Sequence, residues 1–312
     1  MRKLRIYFEG FWPGMDMCDN FITRRLVENH YEFEIDPDPD YLFCSSFSNR
    51  HLRYKDCVKI YFTGENDVPD FNLFDYAMAF HPISFGDRYL RFPLYALYDG
   101  FERLVEKRFE TSKVLDRKFC NFVYSNSRWA DPFRDKFYRE LSKYKKIDSG
   151  GRYLNNIGGP VGDKMAFIQD YKFTIAFENS SQPGYTTEKI MEPMVVNSLP
   201  IYWGNPEVSV DFNERSFVRV SDKRSMEAAI EEIIRLDTDD EYYLAKMSEA
   251  WLPTGKKPED WFATLDNFLL HIVGQPLEEA RRCTEYGYTK RYKQRACDLD
   301  NLSKLFFWKK TC

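Results

Sequence analysis

Residues 173–190, Phe173-Thr-Ile-Ala-Phe-Glu-Asn-Ser-Ser-Gln-Pro-Gly-Tyr-Thr-Thr-Glu-Lys-Ile190, run from a strand-like apolar stretch through polar groups into a helix opening at Thr186-Thr187. A strand that leaves its sheet through such a loop and re-enters a helix builds a nucleotide-binding crevice in a parallel α/β fold. Lys189 falls in the first turn of that helix, where unpaired N–H groups and the positive dipole end disfavour a cation unless an anion sits there too. A bound phosphate would repair the conflict.

Before and after this stretch, short apolar runs alternate with amphipathic segments. Strands are predicted over 4–8, 32–35, 41–44 and 58–62, with a helix over 19–29 capped by Asp19. A charged, helical connection over 95–117 follows, and the pattern begins again. It reads strand 119–124, helix 131–144, strand 146–147, a Gly-rich turn, helix 164–171, strand 173–177, helix 187–196, then strands 200–203 and 217–220. Strands and helices in alternation imply parallel sheets with helices on both faces. Helices dominate after residue 225, and Met226, Ala229, Ile230, Ile233 and Ile234 recur at the spacing of a packed face, as does the run 261–272.

A chain of 312 residues exceeds what one core usually supports, and domains of about 150 residues are the expectation. The expected architecture is α/β, two Rossmann-like domains facing across a cleft. Residues 1–95 form the first, 96–117 the connection, 118–275 the second, and 276–312 a basic, aromatic tail. That tail carries Arg281, Arg282, Lys290, Arg291, Lys293, Arg295, Lys304, Lys309 and Lys310, with Leu305-Phe-Phe-Trp308 as an apolar patch. It suits either an interfacial membrane contact or a solvated terminus.

A net charge of −4 gives no general case for nucleic acid or an anionic membrane as the main partner. The seven cysteines are odd in number and scattered, without a C-x-x-C pair, which argues against a zinc site or a disulfide framework and for a reducing, cytoplasmic compartment. The first ten residues are charged and hold no apolar signal-peptide core, and no run approaches the length of a membrane span. Aromatics reach 17%, and most are expected in the core, although exposed rings also suit sugars and bases.

A second conflict resembles the one at Lys189. In Ser127-Arg-Trp-Ala-Asp-Pro-Phe-Arg134, Asp131 suits an N-cap and Pro132 the first helical position, which puts Arg134 in a first turn. Arg134 either pairs with Asp131, points to water, or meets an anion. One diphosphate spanning two helix N-termini would account for both cations. The turn Ser149-Gly-Gly-Arg-Tyr-Leu-Asn-Asn-Ile-Gly-Gly-Pro160 lies on the same sheet edge but lacks a P-loop or dinucleotide fingerprint.

The run from Phe177-Glu-Asn to Glu188-Lys-Ile190, with Pro200-Ile-Tyr-Trp-Gly204, resembles the donor-binding signature of the α1,3-fucosyltransferases, the tenth glycosyltransferase family. Tyr61-Phe-Thr-Gly-Glu-Asn66, Phe71-Asn-Leu-Phe-Asp-Tyr76 and Asp87-Arg-Tyr-Leu-Arg-Phe-Pro93 are similar to its bacterial branch, the Helicobacter enzymes. The resemblance covers residues 58–220. It implies a GT-B fold, GDP-L-fucose as donor, and transfer with inversion. By position it implies Arg134 and Lys189 on the diphosphate, Asn179 on a phosphate oxygen, and Tyr185 and Glu188 on the ribose and nearby donor groups. Inversion needs a base opposite the departing GDP, and the resemblance assigns Glu65, with Asp67 and Asp70 as nearby competitors. His81, Asp87 and Arg88 fall on the implied acceptor side, where each has an ordinary structural alternative. The cations make a metal ion unnecessary, so any stimulation by added divalent metal is expected to come from binding released GDP. Asp36-Pro-Asp-Pro-Asp40 reads as a loop.

The bacterial relatives carry a longer insertion between the halves and C-terminal heptad repeats. Here the connection is short and no heptad array is seen, so kinship implies neither a dimer nor an acceptor preference. The expected reaction is transfer of fucose to the 3-hydroxyl of GlcNAc in Gal-β1,4-GlcNAc, giving a Lewis X unit. Type 1 chains at the 4-hydroxyl, or lactose, stay open as acceptors. A transferase of the same fold with another nucleotide sugar, or a non-catalytic sugar-nucleotide-binding protein, are the competing classes.

Overall fold

In the computed structural model, residues 3–126, 128 and 130–308 are described, with side chains as far as 302. Contacts divide the chain into two units, Met1–Phe92 with Trp261–Cys312, and Pro93–Asp260.

In the first unit β1 (Leu4–Glu9), β2 (Phe33–Ile35), β3 (Tyr41–Cys44), β4 (Val58–Phe62), β5 (Tyr76–Ala79) and β6 (Tyr89–Arg91) form one sheet in the order β2-β1-β3-β4-β5-β6, every pair parallel. The central strands β3 and β5 are buried at every residue, as a sheet covered on both faces requires. Sequence periodicity does not announce β5, because Tyr-Ala-Met-Ala holds no β-branched residue. Helix α1 (Phe21–Glu28) is capped by Asn20, one residue after the expected Asp19. Asn20 accepts from the N–H groups of Ile22 (2.9 Å) and Thr23 (3.2 Å), and Thr23 Oγ1 accepts from the Asn20 N–H, a reciprocal box. Asp19 instead binds Arg24.

In the second unit β7 (Lys118–Phe122), β8 (Ile147–Ser149), β9 (Tyr171–Phe177), β10 (Leu199–Trp203) and β11 (Val218–Arg219) form a parallel sheet ordered β11-β10-β9-β7-β8. Its helices are α2 (Thr111–Leu115), α3 (Phe133–Leu141), α4 (Lys164–Ile168), α5 (Glu188–Val195), α6 (Met226–Thr238) and α7 (Asp240–Ser248). The expected helical connection is instead two 3₁₀ turns, Leu94–Leu97 and Phe101–Val105, followed by α2. Pro93 stands before the first turn, and Gly100, at φ 92°, lies in the left-handed region between them. A Cβ on Gly100 would lie 3.0 Å from Val195, so the segment packs onto α5 and belongs to the second unit.

Chain order and sheet order diverge once in each sheet, in the first where the chain crosses from β2 over β1 to β3. From β7 the chain adds β8 on one side and then crosses to β9 on the other. Ligands of open parallel sheets bind outside the carboxyl ends of strands at such a switch point.

Three helices follow, α8 (Pro258–Val273), α9 (Leu277–Ala280) and α10 (Gly287–Trp308). The expected boundary at 275 moves to 260, because from Trp261 the chain packs on the first unit. Trp261 and Phe262 meet Phe92 at 6.4 and 6.3 Å between ring centres, Phe268 meets Tyr76 at 6.0 Å, and Arg25 Nε donates to Asp266 at 2.6 Å. The apolar face of α8 is legible in sequence, whereas the sheet it covers is not. Much of the basic segment is likewise docked, with Arg281 on Asp56, Arg282 on Asp87, and Tyr292 Oη donating to Asp70 at 2.5 Å. The patch 305–308 with Lys304, Lys309 and Lys310 lies outside the described side chains. Among the described residues no helix is long and apolar enough to cross a membrane.

One buried carboxylate secures this return. Asp75 accepts from the N–H groups of Lys59, Arg282 and Cys283, each at 2.7 Å. Asp75→Ala would strip the acceptor from these N–H groups, at a cost on the order of 3 kcal/mol. The expected outcome in a urea titration is an earlier transition of the first unit with that of the second unchanged.

Candidate active site

The site is built at the switch point of the second unit. A cavity of 230 Å³ is lined by Val123 to Asn126 beyond β7, Thr174, Ile175 and Asn179 on and beyond β9, Arg134 of α3, Lys164 of α4, and Glu188 and Lys189 of α5. Its wall carries three cations against one carboxylate, so the space favours an anion.

Arg134 is fully buried. Its guanidinium lies 4.1 Å from the Tyr124 ring centre, Nη2 donates to the Asn126 carbonyl (2.5 Å), Nη1 reaches Asn179 Oδ1 (3.5 Å), and Nε has no partner. Asp131 does not pair with it, because its carboxylate accepts from the Phe133 N–H (2.8 Å) and starts α3. Neither ordinary account of Arg134, pairing with Asp131 or pointing to water, describes the structure. A buried guanidinium among neutral partners is stabilised by an anion brought to it. Ser127 and Trp129 of this motif lie outside the described residues.

Lys189 is different. Nζ lies 3.2 Å from Glu178 Oε2, 3.2 Å from Glu188 Oε1, and donates to Thr187 Oγ1 at 3.0 Å. Burial alone would pull this amine down, but the two carboxylates outweigh it and hold Lys189 well above the usual lysine range. Burial pushes the Glu178 carboxyl up against the pull of Lys189, and Glu188, which burial would also raise, is held low by Lys189 and Lys164. The helix-end conflict read from the sequence is therefore met inside the protein. The case for an external anion passes from Lys189 to Arg134, whose Nε has no partner, and to the charge of the whole wall.

Two residues missed in sequence shape the loop into α5. Glu178 accepts from Thr187 twice, from N–H and from Oγ1, each at 2.7 Å. Asn205 Oδ1 accepts from the Gly184 N–H (2.8 Å) while Nδ2 donates to Thr186 Oγ1 (2.9 Å). Glu178 lies inside the quoted Phe177-Glu-Asn and Asn205 follows Gly204, and those positions are the only sequence signal. Tyr185 is buried near Lys189 but is not on the cavity wall. The turn 149–160 contributes nothing to the wall either. Its Gly151 fits against the Tyr124 backbone, where a Cβ would come within 1.9 Å of the carbonyl oxygen.

The remaining predicted residues belong to the first unit. Glu65 follows β4 on an exposed turn, its N–H donating to Thr63 Oγ1 (3.0 Å). Among the described residues its carboxylate has no partner, whereas Asp70 is engaged by Tyr292 and Asn72. His81 is buried on the Phe80 ring with Nδ1 unpartnered, and burial depresses its basicity. Asp87 is held by His271 (2.9 Å) and Arg282 (2.6 Å). Arg88 donates to the carbonyls of Asp75, Phe74 and Phe71 and lies over the Phe71 and Phe85 rings. Asp87 is thus ion-paired at the surface and Arg88 is engaged by backbone carbonyls and rings.

Two parallel Rossmann-like sheets, with an anion-suited cavity at the switch point of the second, follow the plan of the GT-B glycosyltransferases. Residues 6–98 match the alpha-(1,3)-fucosyltransferase FucT N-terminal domain, and residues 115–251 match the C-terminal domain of glycosyltransferase family 10 (fucosyltransferase). The chain belongs to glycosyltransferase family 10. It is similar to the alpha-(1,3)-fucosyltransferase FucT of Helicobacter pylori, 32% identical over 294 residues, 80% of this chain and 61% of that protein. The chain thus spans about three-fifths of that relative's length. It also resembles a crystal structure of an alpha1,3-fucosyltransferase, with TM-score 0.74 and 29% identity over 86% of this chain and 90% of the other. The same coverage, with TM-score 0.70 and 28% identity, holds for an alpha1,3-fucosyltransferase crystallised with GDP-fucose.

Proposed function

We propose that this protein is an inverting α1,3-fucosyltransferase that moves L-fucose from GDP-L-fucose to the 3-hydroxyl of GlcNAc in Gal-β1,4-GlcNAc. The observation that carries the reading is the cationic cavity with buried Arg134, whose Nε has no partner and whose other partners are neutral, in the segment that matches the family's C-terminal domain. Arg134 and Lys189 take the diphosphate, Asn179 a phosphate oxygen, and Glu188 and Tyr185 the ribose and nearby donor groups. Glu65 receives the proton of the acceptor hydroxyl as its oxygen bonds to the anomeric carbon and the bond to the phosphate oxygen breaks. Negative charge grows on departing GDP, so fixed cations there assist the transition state more than the ground state. The scheme invokes no metal ion.

The test is product analysis after mixing the protein with GDP-fucose and N-acetyllactosamine, with lacto-N-biose and lactose in parallel. A trisaccharide with fucose on O3 of GlcNAc is the expected product. Fucose on a type 1 chain or on lactose would reassign the acceptor. Absence of both GDP release and any fucosylated product would refute the transferase reading.

A further inference from the structure

Glu178 is wholly buried, stands behind Lys189, and is not part of the cavity wall. Each of its oxygens is committed. Oε1 takes the Thr187 N–H, and Oε2 takes the Thr187 hydroxyl while lying 3.2 Å from Lys189 Nζ. Its backbone is fixed too, with the N–H donating to the Trp203 carbonyl at 2.8 Å. Room for this carboxylate comes from the neighbouring strand. A Cβ on Gly204 would lie 2.4 Å from Glu178 Cγ and 2.7 Å from its Cβ. The chain thus leaves a side chain off β10's exit and fills the gap with a buried acid aimed at the start of α5. Apolar packing would cover the same space without the cost of burying a charge, so the acid serves Lys189.

We propose that Glu178 is a positioning residue for the leaving group: it clamps the cap of α5 through Thr187, tethers Lys189 from behind, and tempers the pull of Lys189 on the bound diphosphate. This rests on the reading that the cavity takes GDP-fucose. Lys189 reaches forward to Glu188 on the wall and backward to Glu178, so it meets a ligand already half neutralised. A cation held this way grips GDP less tightly, so GDP leaves the site more readily after transfer, which favours turnover over binding.

Glu178→Gln separates this role from simple support, since the amide keeps the shape and an acceptor oxygen for the Thr187 N–H, turns its amino group to the Thr187 hydroxyl, which then accepts, and removes the counter-charge. The expected result is a melting temperature near that of the wild type, GDP bound about tenfold more tightly by calorimetry, and kcat lowered about tenfold. A structural role alone would weaken GDP binding and kcat together. Glu178→Asp, which keeps an acid in the space left by Gly204 but draws its charge back from Lys189, should shift both quantities in the same directions to a smaller extent and carries the test if the glutamine variant does not fold. GDP affinity that is unchanged or weaker in the folded variant, with the wild type binding GDP, overturns the inference and leaves the proposed function standing. A wild type that binds no GDP overturns the functional reading and this inference with it.

Discussion

Glu65→Gln is expected to leave the GDP dissociation constant and melting temperature within about twofold and a few degrees of wild type while kcat falls on the order of a thousandfold. Its carboxylate is exposed and unpartnered among the described residues, so an isosteric amide disturbs no packing. What the amide cannot do is accept a proton from the acceptor hydroxyl. General-base removal typically costs two to four powers of ten, and little of that returns through water when the group is positioned. Steady-state rates with GDP-fucose and N-acetyllactosamine, beside calorimetric GDP binding, decide the matter. Loss of GDP affinity in step with rate would place Glu65 on the donor, and an unchanged rate would pass the base to Asp67, since Asp70 is already committed to Tyr292.

Lys189→Ala should be at least as damaging and by a different route. Removing the amine leaves Glu178 and Glu188 without the cation that each contacts at 3.2 Å, so the variant presents carboxylate charge where the wild type presents a paired lysine. GDP affinity is expected to fall about a hundredfold, and kcat further. A pH signature accompanies it. Burial already raises the Glu178 carboxyl above its unfolded value, and loss of Lys189 raises it more. A group whose folded pKa lies above its unfolded one favours the native state at low pH and loses that contribution as pH rises through the folded value. The melting temperature of Lys189→Ala should therefore approach wild type at acid pH and fall behind it as pH rises. A deficit independent of pH, or GDP affinity equal to wild type, would remove Lys189 from the diphosphate.

The segment 173–190 gave a correct reading of its fold because the information is local: a fully buried seven-residue strand, a polar loop, and a Thr-capped helix all lie within one stretch. The same holds for β1, β3 and β4, whose predicted and observed bounds differ by at most one residue. Arg134 was also legible, since Asp131-Pro132 fixes where its helix begins. What escaped is non-local. Glu178 meets Lys189 only because the loop between them folds back, and nothing in the spacing says that Gly204 makes room for it. Arg282 and Cys283 seek Asp75 across most of the chain. A basic terminal run looks solvated until the acids it pairs with are known.

The return of α8 to the first sheet makes the second unit an insert. Residues 93–260 are one unbroken length of chain, entered and left at the ends of the first unit's two pieces. Exchange of that length between family members would carry the whole cationic cavity and the loop behind it, from Tyr124 to Asn205, without a cut through either core. No comparable graft exists for the first unit, whose sheet and covering helices come from opposite termini, so a fragment ending at residue 260 would uncover Phe92, Tyr76 and Arg25 together. Recombination among these chains therefore has a preferred direction, with donor modules transplanted into a host that must be inherited entire.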